Sequence, residues 1–74
     1  MEITVKLFAH FRDGRFKVEA RHIPPGTSVG DIVDSLSIPR EEVGVLMINS
    51  RHTTFATPLA SGDILAIFPM IGGG

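Results

Sequence analysis

Between Pro24-Pro25-Gly26 and Pro39 the chain has room for one helix. The paired prolines cannot continue a sheet ladder, and the later proline disfavours helix in the residue before it. Inside that window Val29, Ile32, Val33 and Leu36 fall at i, i+3, i+4 and i+7, which predicts one apolar face on a helix of about ten residues. Ser28, or Thr27, is a suitable N-cap. Asp31, three residues after Ser28, gives capping-box spacing and puts a negative charge at the positive end of the helix. The other apolar runs are short or alternate, so the remainder must form strands. A single helix laid across one face of a small sheet is an α+β architecture.

The strands can be read in order. Glu2 to Ala9 alternates, with Ile3, Val5, Leu7 and Ala9 on one side. Asp13-Gly14 predicts a tight hairpin turn, and the return run Phe16 to Arg21 adds Phe16, Val18 and Ala20 to the core set. Val43 to Asn49 reads as a central strand closed by an Asn49-Ser50 turn, and His52 to Phe55 as a short edge strand. Thr57-Pro58-Leu59 reads as a tight turn or one helical turn, and Ser61-Gly62-Asp63 as another turn. Ile64 to Phe68 is the last strand, stopped by Pro69. The order is ββαβ(β)β, without repeats or an internal linker.

Seventy-four residues make one domain. A core this small yields only a few kcal/mol of net stability, which leaves little interior for a buried active site. A formal net charge of −1 offers no basic field for a nucleic-acid backbone and no polybasic tract for a membrane. The absence of cysteine excludes disulfides, Cys-ligated metals and a cysteine nucleophile within the chain. No charged leader or long apolar segment precedes the strand at Glu2, so a cytoplasmic location is expected. His10, His22 and His52 lack close metal-ligand spacing, and Glu41-Glu42 reads as a solvated helix or loop end. No metal site, paired-carboxylate site or phosphate loop is expected.

The C-terminal stretch is more specific. Pro58 to Gly74 combines a Gly62-Asp63 turn, an apolar strand, Pro69, the β-branched Ile71 and Gly72-Gly73-Gly74. This ending resembles that of the MoaD/ThiS family of ubiquitin-like sulfur carriers. Val5-Lys6-Leu7-Phe8-Ala9 with Phe11-Arg12, and Thr27 to Ile32 at the helix start, are similar to its molybdopterin branch more than to the thiamin carrier. The turn at Asn49-Ser50 departs from the family's usual Asn-Gly, and Ile64 stands where a polar residue is usual.

The resemblance implies a β-grasp fold: a mixed sheet of four or five strands, one main helix across one face, and a flexible glycine tail. Residues 1–71 would form the domain and 72–74 the reactive tail. The Gly74 carboxylate would be adenylated by an ATP-dependent, ubiquitin-activating-type adenylyltransferase. Sulfur from a persulfide donor enzyme would then displace AMP and leave a Gly74 thiocarboxylate. That sulfur would go to the large subunit of a molybdopterin-synthase-like enzyme, for molybdenum or tungsten cofactor synthesis. Gly72 and Gly73, lacking side chains, would thread the partner's narrow channel. The chain would be a carrier, not itself an enzyme. It would bind no cofactor, ATP being the partner's, and would hold no nucleic acid or membrane. The same activated end would serve a thiamin-type carrier or a protein modifier that forms isopeptide bonds, for which Lys6 and Lys17 are the only self-linkage sites. A non-reactive interaction domain would dispense with the tail. The family pattern orients the last strand with Leu65 and Ile67 inward and Ile64 and Phe68 outward. Phe8 on the first strand and Met47 on the central strand would face outward with them, and with Met70 they form the expected partner face.

Overall fold

The computed structural model describes residues 1–71. Strand β1 (Glu2–Leu7) is followed by a 3-10 turn at Ala9–Arg12, β2 (Val18–His22) and helix α1 (Val29–Ser35). A second 3-10 turn (Arg40–Glu42) leads into β3 (Val43–Ile48), then β4 (Arg51–His52) and β5 (Ile64–Pro69). The five strands form one sheet in the order β2-β1-β5-β3-β4. Central strands β1 and β5 run parallel, and the other pairs are antiparallel. This is the expected α+β arrangement.

The core follows from alternation. Register pairs Val5 with Leu65 and Leu7 with Ile67, so the buried side chains of both central strands face the same side. Val29, Ile32, Val33 and Leu36 of the helical segment close over them, as the spacing predicts. Each such side chain gains about 1.5–3 kcal/mol from burial, which makes these strands the stable centre. Leu46 joins from β3, and Phe11 enters from the first 3-10 turn. Ser28 caps the helix in a complete capping box: its hydroxyl accepts from the Asp31 N–H, and its own N–H donates to the Asp31 carboxylate.

Several expectations require correction. The helix has seven residues and does not run to Pro39. It stops because Ser37 takes a φ of 59°, while the Ser37 N–H donates to the Asp34 carbonyl and the Ile38 N–H to that of Val33. That pair of bonds is a Schellman motif, built here on serine where glycine is usual.

The tight Asp13-Gly14 hairpin does not form. Gly14 has φ 69°, but Asp13 has φ −64°, and residues 8–17 make a longer connection. Ala9, at φ 51°, leaves the strand and is exposed, so it is not a core residue. Arg12 stitches the loop by donating from Nε to the Leu7 carbonyl at 2.7 Å, and Arg15 by donating to Leu36 and Phe11. With this loop the register sets Glu19 opposite Val5 and Arg21 opposite Ile3. Val18, 53% exposed, and Ala20 therefore face outward, and Phe16 is only half-buried. An offset by an odd number of residues, here three from the pairing that an Asp13-Gly14 turn would set, reverses every side chain in a strand. It leaves charges on the inner side of an edge strand, where they discourage further pairing.

The second edge strand is Arg51–His52 and not His52 to Phe55, because Asn49 (φ 51°) and Ser50 (φ 69°) turn the chain within two residues. Thr57-Pro58-Leu59 is extended and not turned: Pro58 bridges to Ser28, and the Leu59 N–H donates to the Thr27 carbonyl. Strand β5 continues through Pro69, which is buried and pairs with Val43.

Candidate functional site

The face of the sheet opposite the helix is set by the same alternation that fills the core. With Leu65 and Ile67 buried, Ile64, Ala66 and Phe68 point outward from β5. Cross-strand pairing puts Val45 beside Phe68 and Met47 beside Ala66. Phe8 lies just past β1, and its ring stacks on Phe68 with centroids 4.1 Å apart and planes 14° from parallel. The Arg12 guanidinium lies 5.3 Å from the Phe8 centroid, held there by its bond to the Leu7 carbonyl. An exposed cation on an aromatic face contributes about 0.5–1 kcal/mol, enough to bias ring orientation.

Next to the stack lies an open, apolar groove of about 500 Å³. Phe68, Met47 and Met70 line it, together with Val45, His52 and Pro69. The structure thus gathers four of the five expected face residues: three line the groove and Phe8 adjoins it through the stack. Ile64 is 40% exposed but stands at the other end of β5, opposite Thr4. It stands four positions from Phe68 along the strand, roughly 13 Å. Val45 and His52 were not singled out in the sequence; the signal was there in the two-residue spacing of Val45 and Met47 along β3.

The chain leaves the sheet beside this groove. The Met70 N–H donates to the Glu42 carbonyl at 2.9 Å. Met70 is 63% exposed and Ile71 98%. Gly72, Gly73 and Gly74, the expected reactive tail, lie outside the described residues.

Glu42 is itself anchored through its turn. Arg40 donates from Nε and Nη2 to the two Asp34 carboxylate oxygens at 3.0 and 2.9 Å, and its guanidinium lies 4.9 Å from the Phe55 centroid. These hydrogen bonds hold the Asp34 carboxyl below its ordinary range. This pair ties the helix to the second 3-10 turn and does not line the groove.

Among the described residues, no three His, Asp or Glu side chains converge as a metal site. His10 lies 4.0 Å from Glu42 and His22 3.3 Å from Glu2, both as surface pairs. No helix among the described residues is long and apolar enough to cross a membrane. The groove and stack can bind an apolar surface.

Solved structures share this architecture. SAMP1, the small archaeal modifier protein 1 of Haloferax volcanii, is 23% identical over all of both chains, with a TM-score of 0.77. A putative molybdopterin converting factor subunit 1 from Pyrococcus furiosus is 24% identical over 96% of this chain and 99% of its own, with a TM-score of 0.77. A chain from the complex of subunits 1 and 2 of the molybdopterin-converting factor of Helicobacter pylori is 16% identical over all of both chains, with a TM-score of 0.66. At these identities the likeness establishes the ubiquitin-like β-grasp fold. Among curated proteins, no sequence matches the chain significantly. The model of the ThiS family matches residues 5–74, and the chain belongs to that family.

Proposed function

We propose that this protein is a sulfur carrier whose reacting group is the C-terminal carboxylate of Gly74, serving molybdopterin-type cofactor synthesis. The observation that carries this reading is an apolar docking groove beside the point where the chain leaves the sheet toward Gly72-Gly73-Gly74. A partner seated on Phe68, Met47 and Met70 would hold the tail close to its own catalytic site. The family match supports the reading because it extends through Gly74.

The chemistry asks little of this chain. The Gly74 carboxylate attacks the α-phosphate of ATP in an adenylyltransferase, and pyrophosphate leaves. A donor's persulfide attacks the acyl-adenylate and expels AMP, giving an acyl disulfide. A second thiol of the partner then cleaves the S–S bond, forming a disulfide with the donor sulfur and leaving a thiocarboxylate, which is a good nucleophile at neutral pH. ATP site, metal and cysteine all belong to the partners. The molybdopterin branch is supported by the likeness to the P. furiosus subunit 1 and to the H. pylori subunit complex, where the second subunit is the partner type proposed here.

A second reading, a modifier joined to lysines of other proteins, is favoured by the likeness to the Haloferax modifier protein. Intact-mass spectrometry of protein isolated from its native cell tests the proposal. Replacement of oxygen by sulfur at Gly74 adds about 16 Da. A population carrying that increment supports the carrier. A ladder of isopeptide conjugates with no such increment would favour the modifier.

A further inference from the structure

Gly44 stands in β3 where the ladder with β5 slips register, between Val43, which faces Pro69, and Val45, which faces Phe68. Its φ is not in the left-handed region, so backbone conformation does not require glycine here. Space does. A Cβ on residue 44 would lie 2.8 Å from the Met70 Cα, 2.8 Å from the Pro69 carbonyl oxygen and 3.0 Å from the Met70 nitrogen. All three are backbone atoms, so no side-chain rotation could relieve the clash. Ordinary contact between carbons begins near 3.5 Å, so the departing segment or β3 would have to yield by about 0.5–1 Å.

The same segment is tethered on one further side. The Met70 N–H donates to the Glu42 carbonyl, and Glu42 closes the turn fixed by Arg40 and Asp34. The chain that leaves the sheet is therefore seated on Gly44 and hooked to Glu42.

We propose that Gly44 is a positioning residue: by carrying no side chain, it sets the direction in which the C-terminal segment leaves the sheet, and so the approach of the Gly74 carboxylate to the activating site. The proposal rests on the carrier reading above. Held extended in a partner's channel, Met70 to Gly74 would span roughly 13–14 Å, so a small turn at the base would become a large displacement at the end. Met70 also lines the groove, but Phe8, Phe68 and Met47 are not among the atoms nearest the added methyl. A change at Gly44 therefore acts on delivery of the carboxylate more than on docking.

The test compares wild-type protein with Gly44→Ala in ATP–pyrophosphate exchange by the adenylating partner, at a temperature where circular dichroism finds both folded. The expected result is a fall in kcat of at least tenfold with KM changed less than threefold, together with faster amide exchange at Met70. A glycine needed only for packing would lower the melting temperature without that split. A folded Gly44→Ala protein with kcat within twofold of wild type overturns the proposal. Should Gly44→Ala fail to fold, one glycine inserted between Ile71 and Gly72 leaves β3 intact and misplaces the carboxylate relative to its base. That insertion is expected to lower kcat at unchanged KM, and full activity would overturn the proposal. No exchange by the wild-type protein itself would instead sink the carrier reading, and the proposal's functional claim with it.

Discussion

The rings of Phe8, just past β1, and Phe68 on β5 stack face to face, 4.1 Å between centroids, at the rim of the groove where the chain leaves the sheet. Neither side chain belongs to the buried core. Aromatic pairs contribute about 0.5–1.5 kcal/mol beyond area burial, so the stack rigidifies the face more than it holds the fold. Phe68→Ala is predicted to destabilise the isolated domain by about 1–2 kcal/mol. It should weaken binding to the adenylating partner by about 1–3 kcal/mol, as loss of an interface anchor does. Calorimetric titration with that partner and denaturant unfolding measure the two effects. Unchanged affinity in a folded Phe68→Ala protein would remove Phe68 from the docking surface.

Leu65 provides the opposite case. It is fully buried between Val5 on β1 and Ile48 on β3. Leu65→Ala is predicted to cost about 2–5 kcal/mol of stability, enough to threaten a domain this small. At a temperature where it remains folded, its partner affinity should match wild type. Lost affinity without lost stability would mean that the buried and docking faces have been exchanged.

Much of this was legible in the sequence because periodicity reports sidedness directly. Ile3, Val5 and Leu7 on β1 and the helix face from Val29 to Leu36 lie where their spacing puts them, and Leu65 and Ile67 on β5 where the family pattern puts them. Less legible was anything that depends on chain reversal. Asp13-Gly14 has the composition of a tight turn, but Phe11 gains more by entering the core than a two-residue turn would allow. The longer loop then moved the pairing by three residues, setting Glu19 opposite Val5 where a two-residue turn would set His22, and turned Val18 outward. Pro39 masked the true helix stop at Ser37, because a left-handed serine leaves no compositional signal. The gathering of Phe8, Met47 and Phe68 followed once the family pattern oriented β5, and the spacing of Ile64 from Phe68 along one strand already set them roughly 13 Å apart. Gly44 gave no signal, since its role depends on where Met70 passes.

Ser37 offers a test of the local energetics. An L-residue at φ 59° carries a strain of roughly 1–2 kcal/mol that glycine avoids. Ser37→Gly should therefore stabilise the protein by about 1 kcal/mol, offset in part by the entropy of the freer unfolded chain. The melting temperature should rise by about 4–8 °C per kcal/mol in a domain of this size. A lowered melting temperature would contradict the Schellman assignment.

The Asp34–Arg40 pair predicts a pH signature. Asp34 has its carboxyl lowered from 3.8 by hydrogen bonds from Arg40. A depressed folded-state value stabilises above the unfolded value and is lost as pH falls through the folded one. Arg40→Ala should thus reduce stability at neutral pH, and the difference should shrink below about pH 4. An NMR titration should return the Asp34 carboxyl toward 3.8 in that variant. No change in its titration would show that the pair does not persist in solution.

The central claim is that the chain works through its terminal carboxylate, and ATP–pyrophosphate exchange with the adenylating partner tests it most directly. Protein lacking Gly73-Gly74 should keep the fold and melting temperature of the full chain, because the described core ends before those residues. It should lose exchange altogether, while the full-length protein supports it. Undiminished exchange by the folded, truncated protein would contradict the account.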